Sequence, residues 1–273
     1  DADLAEWFSD NPSRPRIAIL GDAHVDGLGV LRDRPIARMT EYAVYLALHP
    51  AGVSADKFVT DLWPENRQPS DSTRRADVSR LRAWLGMRAP NDPFLPTMSG
   101  RYQLVDRLVD AELFARLRAR AKSHAQHGDA HAAMVDYQSA LRLVRGPVLP
   151  EASGPGYTWL SNTDRMEDRI LPTQIVDAAH ALVDIALTVG TAIEAEAAAA
   201  TGRTADPYSI IPLCDMVRIA LAQGDRETAR AWADLMLTLN GVDLPAALPA
   251  PCGDIVADLY RAPIRSTPAR AAP

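Results

Sequence analysis

Residues 70–86 read SDSTRRADVSRLRAWLG, and this stretch predicts a helix over about residues 72–85. Asp71 and Ser72 are residue types that cap helix N-termini, and Gly86 suits a C-terminal cap. At 100° per residue the large apolar side chains fall on one stripe, which is typical of a helix that packs on a core. The stripe consists of Val78, Leu81 and Leu85, with Trp84 at its edge.

The opposite face of this predicted helix is small, polar and basic. Alanine and serine let a helix approach the major groove of DNA closely, and arginine can bind guanine O6 and N7 or a phosphate. A solvent-exposed helix of a protein that binds no DNA can have the same composition, so the neighbouring segments must decide between the two interpretations. The outward residues are Ser72, Arg75, Ala76, Ser79, Arg80 and Ala83, with Arg82 on the flank.

Two shorter helices are predicted before this one. Residues 54–63 fit a helix that Ser54 caps and Pro64 ends, and residues 39–49 fit an apolar helix. The segment Ala-Gly-Val after Pro50 supplies a tight turn between them. Three short helices with such a turn before the second are the components of a helix-turn-helix unit.

A hairpin is predicted after the third helix. Residues 93–105 read PFLPTMSGRYQLV, with a turn at Ser99-Gly100 between two short extended runs. Arg101 and Tyr102 project from this hairpin, which has the position of a wing. The sequence therefore predicts a winged helix-turn-helix.

A small sheet is predicted in front of the three helices. Residues 16–20 fit a first strand, Asp26-Gly27 is a hairpin turn signal, and residues 30–36 fit a further strand. This arrangement is typical of winged helices of the response-regulator type.

In order and spacing, these segments resemble the N-terminal winged helix of the Streptomyces antibiotic regulatory protein family. From Asp110 onward the chain resembles the bacterial transcriptional activator domain that follows the winged helix in that family, so that the similarity covers about residues 14–245. The matching pieces of the winged helix are residues 16–21 (RIAILG), 41–50 (EYAVYLALHP), 61–63 (DLW), 78–82 (VSRLR), 85–86 (LG) and 100–104 (GRYQL).

The chain is also similar to a variant of this domain pair. Trp7 and the segments at residues 14–16 (RPR), 62–64 (LWP) and 143–146 (LVRG) look like the C-terminal region of larger actinobacterial membrane proteins that carry a LysM module. This second resemblance implies a membrane anchor upstream of the chain.

The resemblance implies a mainly α fold with a small β component: an OmpR/PhoB-type winged helix-turn-helix, then an all-α tetratricopeptide-like domain. We expect residues 1–13 to form an N-terminal tether or to pack on the domain. The winged helix is expected at residues 14–106, the helical domain at residues 107–245, and a C-terminal tail at residues 246–273.

The helical half contains a weak repeat. Gly128-Asp129 and Gly224-Asp225 each precede a helix, and a fainter copy starts at Gly190, one 34-residue step before Gly224. That interval is the tetratricopeptide period, although a plain helical bundle is an open alternative. Residues 157–189 predict a long helix that Pro172 should kink or divide, and residues 255–260 predict a short one before a disordered end.

Composition limits the compartment and the domain count. The 273 residues, 47% of them hydrophobic, can bury one large core or two ordinary ones. Apolar runs stay below 18 residues, so no membrane span is predicted within this segment. Cys214 and Cys252 fit neither a metal site nor a disulfide framework, which favours a reducing, cytoplasmic compartment. The first residue is Asp1 rather than Met, which suggests a fragment of a longer protein.

Charge is unevenly distributed along the chain. The net charge is -6, whereas dedicated nucleic-acid domains are usually basic. Residues 14–105, however, hold 13 Arg and Lys against 10 Asp and Glu, so the predicted DNA-binding half is mildly positive. A weak electrostatic contribution predicts modest affinity, strong salt sensitivity and pairing of two copies on repeated sites.

Catalytic and cofactor motifs are missing from the sequence. It contains no GxxxxGK[ST] phosphate loop, no GxGxxG after a strand, no nucleophile elbow and no HExxH. His124, His127 and His131 would approach one another on a single helix, but Gly128-Asp129 predicts a turn between them. We therefore expect a non-enzymatic protein with no cofactor and no metal.

These observations lead to the hypothesis of a DNA-binding transcriptional regulator. Arg75, Ser79 and Arg80, with Arg74 and Arg82, would enter the major groove, and Arg101 on the wing would hold a phosphate. The resemblance implies double-stranded DNA and RNA polymerase as partners, and a homodimer. The alternative is a protein-binding scaffold with a degenerate winged helix, located on the cytoplasmic side of an upstream membrane anchor.

Overall fold

The computed structural model of the protein describes residues 1–31, 36–63, 68–98, 100–150, 157–162 and 167–261. Helices dominate this part of the chain, and each strand is only two or three residues long, which confirms the predicted mainly α fold with a small β component. The described helices are α1 (Ala2–Trp7), α2 (Ile36–Ala47), α3 (Ala55–Leu62), α4 (Asp71–Leu85), α5 (Asp110–Gln126), α6 (Ala130–Leu141), α7 (Glu167–Val189), α8 (Ala192–Ala205), α9 (Ile211–Ala222), α10 (Arg226–Asn240) and α11 (Cys252–Arg261). The strands are β1 (Arg16–Ala18), β2 (His24–Asp26), β3 (Val53–Ser54), β4 (Met87–Ala89), β5 (Asp92–Pro93), β6 (Thr97–Met98), β7 (Arg101–Tyr102) and β8 (Leu108–Val109).

The first sheet has the strand order β2-β1-β8. β2 pairs antiparallel with β1, and β8 pairs with β1 in parallel, so the third strand comes from the far end of the winged helix. The predicted strand at residues 30–36 is wrong where the chain is described, because residues 30 and 31 are not in a strand and α2 begins at Ile36. Residues 32–35 lie outside the described residues.

The Asp26-Gly27 signal was also misinterpreted, because this dipeptide does not turn a hairpin. Asp26 ends β2, and the following backbone lies against the C-terminal end of α4, where Gly29 N donates to Trp84 O at 2.9 Å. A Cβ on Gly27 would be 2.2 Å from Trp84 O, and one on Gly29 would be 1.9 Å from Ala83 O. These two glycines therefore permit close approach to α4.

The three predicted helices of the helix-turn-helix unit are confirmed as α2, α3 and α4. Their core is aromatic: the Tyr42 ring centroid lies 5.3 Å from that of Phe58 and 5.2 Å from that of Trp63. Tyr45 extends the cluster to Trp159 of the helical half, at 5.0 Å between centroids. Trp63 is therefore buried as part of this core.

The predicted wing is present as a sheet with the order β3-β7-β6. β7 pairs antiparallel with both neighbours, and Gly100 has φ +75° at the tip, a conformation that glycine adopts without strain. Ser99 lies outside the described residues. Ala55 N donates to Gly100 O at 3.0 Å, which ties the wing to the start of α3.

The N-terminal residues pack on the protein. Arg14 pairs with Asp3 at 2.5 Å and with Glu6 at 2.6 Å, and Arg116 of α5 pairs with Asp3 at 2.7 Å. Hydrogen bonds from Arg14 hold the pKa of Glu6 at about 2, so its carboxylate remains charged at neutral pH. Of the two interpretations of residues 1–13, packing on the domain describes this segment.

Helix pairs α5–α6, α7–α8 and α9–α10 form the helical half. Gly128, Gly190 and Gly224 all have φ near +80° at the turns, as the predicted repeat requires. Asp129 and Asp225 cap the helices that follow two of these turns. The short C-terminal helix is present as α11, whereas residues 262–273, which include the predicted disordered end, lie outside the described residues.

Of the long helix predicted at residues 157–189, Glu167–Val189 form α7, whereas Thr158–Asn162 form a 3-10 helix. Helix α7 continues through Pro172, which lies in its second turn and removes a single backbone hydrogen bond. Arg169–Val189 is long and apolar enough to cross a membrane by length and composition. Its residues Ile175 and Val183 are fully buried in the protein, however, so α7 is a core helix of this fold.

The two halves share one hydrophobic core, and a buried carboxylate joins them. Asp110, the first residue of α5, is fully buried and accepts hydrogen bonds from the backbone N–H groups of Ile19, Leu20 and Ala111 at 2.8–2.9 Å. Arg145 Nη2 lies 3.6 Å from the same carboxylate, and Arg145 N donates to Leu20 O. Burial raises the pKa of Asp110 to about 6. This junction fixes the winged helix on the helical half.

Candidate nucleic-acid interface

Helix α4 ends at Gly86 as predicted, but it begins one residue earlier than expected, because its N-cap is neither Asp71 nor Ser72. The N-cap is Ser70, whose Oγ accepts a hydrogen bond from Thr73 N at 3.2 Å, and Gly86 closes the helix with φ +93°. The predicted stripe of Val78, Leu81 and Leu85 is buried in the core. The helix is thereby held with one face outward.

The outward face of α4 is small, polar and basic, as the sequence predicted. All six predicted outward residues of α4 are exposed, so the helical half does not cover this face. Arg75 forms no ion pair with any residue of the described ranges, and its guanidinium remains available to a ligand. The exposed set is Ser72, Arg75, Ala76, Ser79, Arg80 and Ala83.

Arg80 is exposed, and an ion pair with Asp77 restrains its guanidinium. Its Nη1 lies 3.0 Å from Oδ1 of Asp77, one turn earlier, and 47% of the Arg80 side chain remains exposed. Asp77 is buried, so the ion pair holds Nη1 of Arg80 while the rest of the guanidinium stays accessible. Arg75, Ser79 and Arg80 are thus brought together on one face.

The other three predicted DNA-binding arginines have internal partners. Arg74 pairs with Asp71 at 2.9 Å and its side chain is only 13% exposed. Arg82 Nε donates to Leu95 O at 2.7 Å, which ties α4 to the segment before the wing. Arg101 Nη2 donates to Gly52 O at 2.8 Å and so braces the wing against the turn between α2 and α3.

Sequence reasoning missed one cationic residue next to this face. Arg38 is exposed near the start of α2, and its guanidinium carbon lies 4.7 Å from the ring centroid of Trp63. Its Nε donates a hydrogen bond to the Tyr42 hydroxyl. Arg38 and Tyr42 are four residues apart on a helix, a spacing at which side chains meet, and this was the available signal.

The exposed face of α4 has side-chain chemistry that suits an anionic groove. Among the described residues no group of three or more His, Cys, Asp or Glu side chains is arranged to hold a metal. The exposed α4 face offers guanidinium donors, hydroxyl groups and small side chains, which is suited to the major groove of DNA.

The fold and this face together define a winged helix-turn-helix followed by a helical activator domain. Residues 109–239 match the family model of the bacterial transcriptional activator domain. The predicted resemblance to the Streptomyces antibiotic regulatory proteins, in which this domain follows a winged helix, is confirmed. The matched domain is one found in bacterial transcriptional activators.

A solved structure of the same fold is Mycobacterium tuberculosis EmbR in complex with a low-affinity phosphopeptide. It is 23% identical to this chain and superposes with a TM-score of 0.66 over 91% of it. The chain spans 65% of the length of that protein, so the likeness concerns the shared fold. No curated protein matches the sequence.

Proposed function

We propose that the chain is a non-catalytic, DNA-binding transcriptional regulator that acts in the cytoplasm. The observation that carries this proposal is the exposed face of α4, on which Arg75, Ser79 and Arg80 point outward from a helix braced by a buried apolar stripe. The match of residues 109–239 to the activator domain model supports a role in transcription.

In the proposed complex α4 lies in the major groove. Arg75 and Arg80 bind base edges or flanking phosphates, and Ser79 lies between them, where a small side chain allows close approach. Arg74, Arg82 and Arg101 have internal partners, so we assign them the role of holding α4 and the wing in place while their remaining N–H groups face the backbone of the DNA.

The helical half is proposed to serve oligomerisation or contact with RNA polymerase. The modest positive charge of the winged helix supports binding as a pair on repeated sites, because two weak electrostatic footprints on one duplex add in free energy. Contact with RNA polymerase is implied by the family resemblance.

Binding to random duplex DNA across a salt series tests the proposal. We expect dissociation constants of about micromolar at low salt, and a steep weakening as salt rises, since the contacts to phosphate release counterions. The double substitution Arg75→Ala with Arg80→Ala should abolish this binding. The matched control is Arg116→Ala with Arg118→Ala, which removes the same charge from α5 in the helical half.

A protein-binding scaffold is the second candidate function. Its supporting observation is a pair of adjacent surface depressions of about 330 and 580 Å³ on either side of Ile193, whose side chain is 79% exposed on α8. Absence of DNA binding at every salt concentration, or equal binding by both double variants, would overturn the regulator and favour this scaffold.

A further inference from the structure

A chain of four side chains connects helix α2 to helix α4. Arg38 Nε donates to the Tyr42 hydroxyl, and that hydroxyl donates to Asp77 Oδ2 at 3.4 Å. Asp77 Oδ1 accepts from Arg80 Nη1 at 3.0 Å. Each end of the chain is therefore a guanidinium group, one from α2 and one from the candidate DNA-binding helix.

Burial distinguishes the middle of this chain from its ends. The Tyr42 side chain is 1% exposed and Asp77 is 6% exposed, whereas Arg38 and Arg80 are both exposed. Burial raises the pKa of Tyr42 well above its usual range, so its hydroxyl stays protonated and remains a donor to Asp77. A buried, fully hydrogen-bonded pair thus supports two surface cations.

Arg38 is held in a defined orientation. Its guanidinium carbon lies 4.7 Å from the Trp63 ring centroid and 5.5 Å from the Tyr42 ring centroid, so the guanidinium lies over aromatic surface. Stacking of this kind restricts the guanidinium and leaves its Nη edge available to a planar or tetrahedral anion.

The charges of the chain do not cancel. Arg38 and Arg80 supply two positive charges against the single carboxylate of Asp77. Within the described part of the chain no carboxylate lies within ion-pair distance of Arg38. One positive charge is therefore left over on the flank of α4, and the natural ligand for an oriented surface guanidinium beside a major-groove helix is a backbone phosphate.

We propose that Arg38 is a further phosphate-binding residue of the DNA interface, and that Tyr42 and Asp77 are positioning residues that hold Arg38 and Arg80 as a pair. This inference rests on the proposed function. Because Arg38 comes from α2 and lies beside α4, its contact is to the sugar-phosphate backbone and carries no base specificity.

The first test is Arg38→Ala in the full chain, measured on random duplex DNA across a salt series. Loss of one phosphate contact should weaken binding about five- to tenfold at low salt and reduce the slope of log K against log salt by about 0.9. Arg38→Gln is the second variant, because it keeps part of the aliphatic stem on Trp63 while removing the charge. Circular dichroism shows that each variant is folded.

The matched control is Arg203→Ala. Arg203 is also an arginine stacked on tryptophan, with its guanidinium carbon 5.3 Å from the Trp232 ring centroid, but it lies in the helical half. Its removal lowers the net charge equally and should leave both the affinity and the salt slope unchanged.

The second test addresses positioning through a double-mutant cycle. Tyr42→Phe keeps the ring under Arg38 but removes the hydroxyl that orients it, and should weaken binding about threefold. In the Arg38→Ala background the same change should have a much smaller effect on binding, since Arg38 is gone and Tyr42 can act only through Asp77 on Arg80. A Tyr42→Phe effect that is the same in both backgrounds would show a purely structural role and overturn the positioning assignment.

The outcomes separate this inference from the proposed function. If the unmodified chain binds no DNA, both fail together. If it binds, and Arg75→Ala with Arg80→Ala abolishes binding while Arg38→Ala and Arg38→Gln leave affinity and slope unchanged, the role of Arg38 is overturned and the regulator stands.

Discussion

Some arginines of the helical half and of the winged helix differ in whether they have an acidic partner. In the helical half Arg120 is paired with Asp136 at 2.5 Å, and Arg218 is paired with Asp184 at 2.6 Å and with Asp215 at 2.9 Å. In the winged helix Arg38 and Arg75 form no ion pair within the described ranges. Ion pairs such as these neutralise part of the positive charge of the helical half, whereas two arginines of the winged helix stay unpaired, so an acidic chain can still present a locally positive face.

This difference teaches that net charge is a poor guide to where a protein can bind a polyanion. What matters is which guanidinium groups lack an acidic partner and share one exposed face. The unpaired arginines of α4 stay exposed only while the two halves remain packed together with α4 outward. The contact between the halves, the position of α4 and the ion pairs of the helical half can each be tested by substitution.

The largest effect is expected at the junction between the halves. Asp110→Ala leaves the backbone N–H groups of Ile19, Leu20 and Ala111 buried without an acceptor, and should lower the free energy of unfolding by about 3–4 kcal/mol. Urea denaturation followed by tryptophan fluorescence measures this loss. If the halves are independent, the variant should instead show two separate transitions.

The control for this change is Asp243→Ala, which removes an exposed aspartate of the helical half. It should change the free energy of unfolding by less than about 0.5 kcal/mol. An Asp110→Ala variant as stable as this control would contradict the assignment of Asp110 as the residue that joins the halves.

A smaller loss of stability is expected at the contact between Gly29 and the C-terminal end of α4. Gly29→Ala would place a Cβ 1.9 Å from Ala83 O, so the backbone must shift, which we expect to cost about 2–3 kcal/mol. Displacement of α4 should also weaken DNA binding, which the salt-series assay detects.

Gly146→Ala is the matched glycine control. An added Cβ there meets its nearest atom, Gly21 Cα, at an ordinary 3.7 Å, so the change should be close to neutral for stability and for DNA binding. Equal effects of the two substitutions would show that close approach at Gly29 does not determine the position of α4.

Local patterns in the sequence predicted most of the winged helix, and distant contacts account for the errors. The buried stripe Val78, Leu81 and Leu85 follows from helical period alone. The partner of Asp26-Gly27 is the end of α4, about 60 residues away, and no local rule distinguishes a glycine that turns from one that permits contact.

For the candidate site, too, local patterns predicted which residues are exposed but not which partners they have. Exposure of Arg75, Ser79 and Arg80 follows from the helical wheel. The partners of Arg82 and Arg101 are backbone carbonyl groups of Leu95 and Gly52, and side-chain chemistry gives no indication of such partners. The role of Arg38 depends on Asp77, which α4 brings to it only in the folded protein.

The smallest effect is expected in the ion network of the helical half, and it depends on pH. The hydrogen bond from His180 Nδ1 to Asp215, at 2.9 Å, raises the pKa of His180 above its ordinary value of 6.5, with Asp184 adding to this and Arg218 opposing it. Since the folded-state pKa is the higher one, the charged pair stabilises the fold fully below pH 6.5, and this contribution is lost as pH rises through the raised value.

We therefore expect the stability difference between the unmodified chain and His180→Gln to shrink from pH 5.5 to pH 8.5. The His180 side chain is 42% exposed, so solvent screening should keep the change below about 1 kcal/mol. Urea midpoints at the two pH values measure it, and subtraction of the variant removes the titration of all other groups. DNA binding by Arg75 and Arg80 should not follow this change, because the ion pairs of His180 and Arg218 lie within the helical half. A parallel loss of DNA affinity in His180→Gln would show that the two halves are electrostatically coupled.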